Sequence, residues 1–149
     1  MKNGKYFIVA ALIIALLGVW SSNATDSKAD TGDHEGPAIV EAIEGTDLSR
    51  ITLTQQASDR LDIQTAEVVE AQVSGGTRLV VPYSSVIYET DGSTWVYTNP
   101  EPLVFVRQAI TIETIQGEET VLTEGPEAGT KVVSVGGAML LGTEHGVGH

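Results

Sequence analysis

The stretch Leu79–Val106, LVVPYSSVIYETDGSTWVYTNPEPLVFV, decides the fold class. β-Branched and aromatic residues crowd two short runs within it, Val86–Thr90 and Thr94–Thr98. Asp91-Gly92 lies between them. That dipeptide between strand-like runs predicts a hairpin, because the turn needs a positive φ that glycine adopts without steric cost. Downstream the same scheme repeats. Asn99-Pro100-Glu101-Pro102 predicts a turn, since neither proline can donate to a sheet. Val104–Thr114 alternates apolar and polar residues, and the alternation slips at Gln108-Ala109, which predicts a bulge. Gln116-Gly117-Glu118 turns into Glu119–Leu122, and Gly125–Gly129 connects to a last strand, Lys131–Val135.

Upstream, Ala38–Glu44 and Ser49–Thr54 read as strands joined at Gly45-Thr46-Asp47. Thr54 can cap a short helix over Gln55–Leu61, with Ala57 and Leu61 on one face. Ile63–Val69 is extended again, and Ala71–Arg78 reads as a loop around Ser74-Gly75-Gly76-Thr77. Ile51, Leu53, Leu61 and Ile63 have no core of their own, so Ser49–Val69 is expected to pair with the C-terminal β unit. The count predicts a mainly β domain: a small antiparallel β-barrel or β-roll of about eight strands with one short helix.

The N-terminus has a different character. Lys2 and Lys5 precede Tyr6–Trp20, which is apolar throughout, and Ser22-Asn23-Ala24 supplies small residues for cleavage. This layout predicts an apolar helix over part of residues 1–24 that acts as a cleaved signal peptide or a retained anchor. Its helical length of about 22 Å falls short of the roughly 30 Å hydrocarbon core. Either reading exports the chain to the periplasm or the outer face of the cytoplasmic membrane. Residues 25–37 form an acidic spacer, 38–142 the β domain, and 143–149 a Gly/His tail. There is no cysteine, which excludes lipoprotein anchoring, thiolate metal sites and cysteine catalysis. A net charge of −12 makes nucleic acid and anionic lipid poor partners.

Val81-Pro82-Tyr83-Ser84-Ser85-Val86 followed by a hairpin resembles the start of the membrane-proximal domain of periplasmic adaptor subunits. These are the membrane fusion proteins of RND-type efflux pumps, in the HlyD-like superfamily. Gly125–Val133 is similar to that domain's glycine-bracketed turn before its final strand, and Gly137–Leu141 resembles its ending. Ile51–Thr54 and Leu61–Thr65 resemble the segment with which such adaptors begin. In that family a lipoyl-like domain, an α-helical hairpin and a β-barrel domain separate the first segment from the last. Here Ala71–Arg78 stands in their place, and no heptads occur. The resemblance implies a docking module for an inner-membrane transporter, RND-like or ABC-type, or for other adaptor subunits. Some adaptors resembling this family bind soft metals through methionine clusters; the methionines here are only Met1 and Met139.

No residues point to catalysis or to a cofactor. Ser84 and Ser85 lie outside any nucleophile elbow, and no histidine falls in the expected β core. Gly136-Gly137 lacks the strand-then-helix context of a phosphate loop. The chain therefore reads as a binding protein and not an enzyme. Glu89, Asp91, Gly92, Trp95 and Tyr97 are the candidate protein contacts: a turn with acidic flanks beside two aromatics on one strand face. The alternative is an extracytoplasmic cation-binding accessory, with the acidic spacer and Glu144, His145 and His149 of the tail as metal ligands.

Overall fold

The computed structural model describes residues 36–146. The apolar segment with its expected helix, nearly all of the spacer, and His149 lie outside the described residues. The described residues are mainly β, as the alternation implied, with eleven strands in two antiparallel sheets. Among the described residues the two sheets remain separate, so the expected barrel is not closed.

The larger sheet begins with β1 (Ala38–Ala42) and β2 (Ser49–Leu53). Ile51 and Leu53 alternate inward, as expected. Thr54 then caps α1 (Gln55–Arg60), its Oγ1 accepting from the Ala57 N–H at 3.1 Å. β3 (Gln64–Glu67) completes the first passage through this sheet. At Val68 the chain crosses to the smaller sheet, where β4 (Val69–Val73) and β5 (Gly76–Pro82) form a hairpin. The expected loop over Ala71–Arg78 is thus mostly paired strand. Its polar residues face solvent on alternate positions, a pattern that a loop reading discards.

A 3₁₀ turn at Tyr83–Ser85 returns the chain to the larger sheet as β6 (Ile87–Tyr88) and β7 (Thr94–Glu101). β7 runs through Pro100, across a register shift between Thr98 and Glu101, and the chain reverses at Pro102-Leu103. The turn thus falls later than the prolines suggested. β8 (Val104–Ala109) and β9 (Thr111–Gln116) are not one bulged strand. They separate at Ile110, where the chain passes from the larger sheet to the smaller for the second time. β10 (Glu119–Glu124) and β11 (Lys131–Val135) follow. The larger sheet runs β1-β2-β8-β7-β11-β3 with β6 beside β7; the smaller runs β4-β5-β10-β9.

The last element is α2 (Gly137–Glu144), which contains Thr143 and Glu144 of the expected tail. Gly136, at φ +92°, starts it, and a Cβ there would lie 2.4 Å from Ile63 Cδ1. A Cβ on Gly137 would meet Ile87 Cδ1 at 2.8 Å. The two glycines set α2 directly on the sheet.

Two apolar cores result, one on each face of the larger sheet. The first joins Ile51, Leu53, Ala57, Ile87, Tyr97, Phe105, Val133 and Leu140. The second joins Val68, Val81, Val96, Ile110, Leu122 and Val132. Neighbours on β7 and β11 divide between them: Val96 and Tyr97, Val132 and Val133. Each such side chain contributes about 1.5–3 kcal/mol on burial. Both crossing residues, Val68 and Ile110, are buried in the second core. Ser49–Val69 pairs with the C-terminal unit as expected, β2 with β8 and β3 with β11.

Candidate protein-docking site

The hairpin predicted at Asp91-Gly92 is present. Gly92 has φ +88°, its N–H donates to the Glu89 carbonyl at 3.0 Å, and the Glu89 N–H donates to the Ser93 carbonyl at 3.0 Å. Asp91 Oδ1 accepts from the Ser93 N–H at 2.9 Å and the Ser93 hydroxyl at 2.6 Å. Those bonds, the hydroxyl's first, hold the Asp91 carboxyl below its ordinary range. Asp91 and Gly92 are exposed at the tip.

The two aromatics of β7 have different surroundings. Trp95 is partly buried, donates from Nε1 to Ser93 Oγ at 2.8 Å, and carries the Arg107 guanidinium 4.6 Å above its ring. Tyr97 is fully buried, so it offers no contact surface. Its hydroxyl donates to Glu144 Oε2 at 2.6 Å. Burial, then that carboxylate, pushes the Tyr97 hydroxyl well above its usual range. α2 covers Tyr97, and a strand pattern alone cannot reveal a cover 47 residues away in sequence.

Arg107 organises the ground behind the hairpin. It sits opposite Tyr97 in the β7–β8 register and pairs through Nη1 with Glu89 Oε1. Its Nε lies 3.3 Å from Glu144 Oε2, outside hydrogen-bond geometry. The Arg107 and Glu144 side chains are 8% and 4% exposed, so this pair is desolvated. His145 Nε2 lies 3.4 Å from Glu89 Oε1 at the solvent edge. Of the three expected metal ligands, Glu144 is thus committed to Tyr97 and Arg107, His145 faces Glu89, and His149 lies outside the described residues. Among the described residues no three His, Cys, Asp or Glu side chains gather as a metal site.

Two exposed aromatics are not among the contacts expected from the sequence. Tyr83 and Tyr88 are 44% and 52% exposed. Burial and the neighbouring Tyr83 hydroxyl raise the pKa of Tyr88. Tyr83 lines a shallow depression of about 360 Å³ with Pro82, Ser84, Gly117 and Glu118. The signal was available: Tyr83 follows Pro82 at a strand end, and Tyr88 alternates with the buried Ile87. Among the described residues no helix is long and apolar enough to cross a membrane.

No family model and no curated protein matches the chain. Among solved structures it is similar to an NMR structure spanning the N-terminal metal-binding site and the membrane-proximal domain of SilB from Cupriavidus metallidurans CH34. The identity is 25% and the TM-score 0.45, over 54% of this chain and 44% of that one. The chain thus spans less than half of that structure's length.

Proposed function

We propose that this chain is an exported, non-enzymatic adaptor-like module that docks on an inner-membrane transporter, RND-like or ABC-type, or on adaptor subunits, and so contributes to efflux. The observation that carries this reading is the pairing of the two segments that resemble the ends of such adaptors. Ser49–Leu53 pairs with β8 and Gln64–Glu67 with β11, in one sheet. The β4–β5 hairpin alone spans the place where the family's other domains would be inserted. A domain reduced in this way keeps its docking surface and loses its reach. The contact face is the hairpin tip with its flanks: Asp91, Gly92, the outer edges of Glu89 and Trp95, and the exposed Tyr83 and Tyr88. Acidic groups around exposed aromatics suit a basic patch, and such an association weakens as salt rises.

The test is crosslinking and capture from envelope extracts with the full chain at low and high salt. Recovery of an inner-membrane transporter is expected, reduced by Asp91→Lys with Tyr88→Ala in a protein that melts like wild type. Glu89 is left intact there because it neutralises the desolvated Arg107. If no membrane protein is recovered at either salt concentration, the reading fails.

A further inference from the structure

β1 is the outermost strand of the larger sheet, paired among the described residues with β2 alone. Its register is regular over all five residues. The Ile43 N–H donates to the Leu48 carbonyl and the Thr54 N–H to the Pro37 carbonyl. These bonds fix the phase of the ladder: Pro37, Ile39, Glu41 and Ile43 turn their backbone groups toward β2. Ala38, Val40 and Ala42 turn theirs outward. Pro37, whose nitrogen has no proton, therefore faces inward and does not block the edge.

Other edges are better protected. β9 pairs with β10 across two register shifts, and β3 with β11 across one. β4 places Glu70 and Gln72 at alternate positions. β1 has no lysine, proline or bulge, and it leaves Ile39 42% and Val40 41% exposed on opposite faces.

We propose that β1 is a self-pairing edge, through which two copies of this chain join antiparallel about a two-fold axis at Val40. The register follows from the phase. Centring the axis on Val40 sets Val40 against its counterpart and Ala38 against Ala42 of the second copy, so all three outward residues form hydrogen-bonded pairs together. Any shift that keeps this phase leaves at least one of them unmatched. The same register sets Glu41 against Ile39, so no like charges stand directly opposite. Val40 lies on the face of the first core, opposite Ile51 in β2, and its partner would extend that apolar surface. A charge of −12 on each copy opposes the association, which therefore strengthens as salt rises.

Because the chain has no cysteine, single cysteines report the register directly. Cα atoms of a hydrogen-bonded antiparallel pair lie about 5.5 Å apart, within the roughly 4.4–6.8 Å that a disulfide spans. In the full chain, purified in a non-ionic detergent, Val40→Cys is expected to form covalent dimers on mild oxidation, more so at high salt. Ile39→Cys alone is expected to form few, and a mixture of Ile39→Cys with Glu41→Cys many. Sedimentation of the wild type is expected to show a dimer that Val40→Lys abolishes, by setting two charges against each other on an exposed position. Val40→Pro is expected to do the same, since it removes an outward N–H and leaves the β2 ladder intact. Equal crosslinking of Val40→Cys, Ile39→Cys and the turn control Asp47→Cys overturns the register. A monomeric wild type at high salt overturns the proposal. Transporter capture, which weakens with salt, is read independently of this result.

Discussion

The two cores of this domain share strands but differ in construction. The second, between the sheets, is built from aliphatic side chains on strands and on the two crossing residues. The first, under the helices, contains two aromatic rings, and an ionic group borders it at Arg107, Glu89 and Glu144. An aliphatic core tolerates change in proportion to the volume lost. A desolvated ion pair does not, because removing one partner leaves the other uncompensated. The candidate docking hairpin projects from the ionic side, so its geometry depends on the less forgiving core.

The sharpest way to break this comparison is Arg107→Leu. Glu144 would keep only the Tyr97 hydroxyl, in a site where its side chain is 4% exposed. The expected loss is about 3–5 kcal/mol, measured by urea unfolding. A loss no larger than that of an exposed surface substitution would show that the cluster is effectively solvated and the contrast mistaken.

Next comes the independence of the cores. Leu140→Ala and Leu122→Ala each remove a fully buried side chain, one from each core, and each is expected to cost about 2–5 kcal/mol. Since the two clusters share no side chain, the double variant should lie within about 0.5 kcal/mol of the sum. A larger deviation would mean that the sheet transmits repacking from one face to the other. Leu140→Ala also tests whether α2 belongs to the cooperative unit.

A smaller effect is expected from Tyr97→Phe, which keeps the ring and removes the hydroxyl bonded to Glu144. The expected cost is about 1–3 kcal/mol at neutral pH. Its pH dependence is diagnostic. Folding raises the affinity of the Tyr97 hydroxyl for its proton, whereas the unfolded chain releases that proton near pH ~10. The stabilisation is therefore complete below about pH 10 and declines as pH rises further. Tyr97→Phe should flatten the alkaline limb of the stability curve, and an unchanged limb would mean that Tyr97 ionises as easily folded as unfolded.

These side chains also mark what the sequence makes legible. The Asp91-Gly92 turn, the Thr54 cap and the alternation of Ile51 and Leu53 are local signals, and each is present in the structure. The second core was readable for the same reason, since Val81, Val96, Leu122 and Val132 lie on runs with strand character. The first core was only half readable. Gly136-Gly137 opens α2 and Gly142 lies within it, so composition gave no helix signal, and Glu144 was read as part of the 143–149 tail. Gly136 and Gly137 instead answer a tertiary demand, the close approach to Ile63 and Ile87. Once α2 is missing, Tyr97 looks like a surface aromatic and Glu144 like a free ligand. The β4–β5 hairpin was hidden because its outward residues are polar, as on any half-solvated sheet. Ile110 was read as part of a slipped alternation, which a bulge and a change of sheet produce alike.

The smallest expected effect belongs to the hairpin tip, which joins neither core. Asp91→Asn keeps an Oδ1 acceptor for the Ser93 N–H and hydroxyl and suits the turn, but it removes the charge. The Ser93 bonds hold the Asp91 pKa lower when folded than when unfolded. Its contribution is therefore present above the unfolded value, near pH ~3.9, and is lost as pH falls through the folded one. The wild type should lose slightly more stability than Asp91→Asn on going from about pH 5 to pH 2, and the two should melt almost together at neutral pH. The difference is small because the carboxylate is fully solvated, and added salt should narrow it further, Arg107 being one of the attractions that salt screens. Thermal melts of both proteins across that pH range, at two salt concentrations, give the answer. If Asp91→Asn unfolds the domain at neutral pH as readily as Leu140→Ala does, the tip is coupled to the first core. It could not then vary freely as a contact surface, and the face available for docking would contract to Tyr83 and Tyr88.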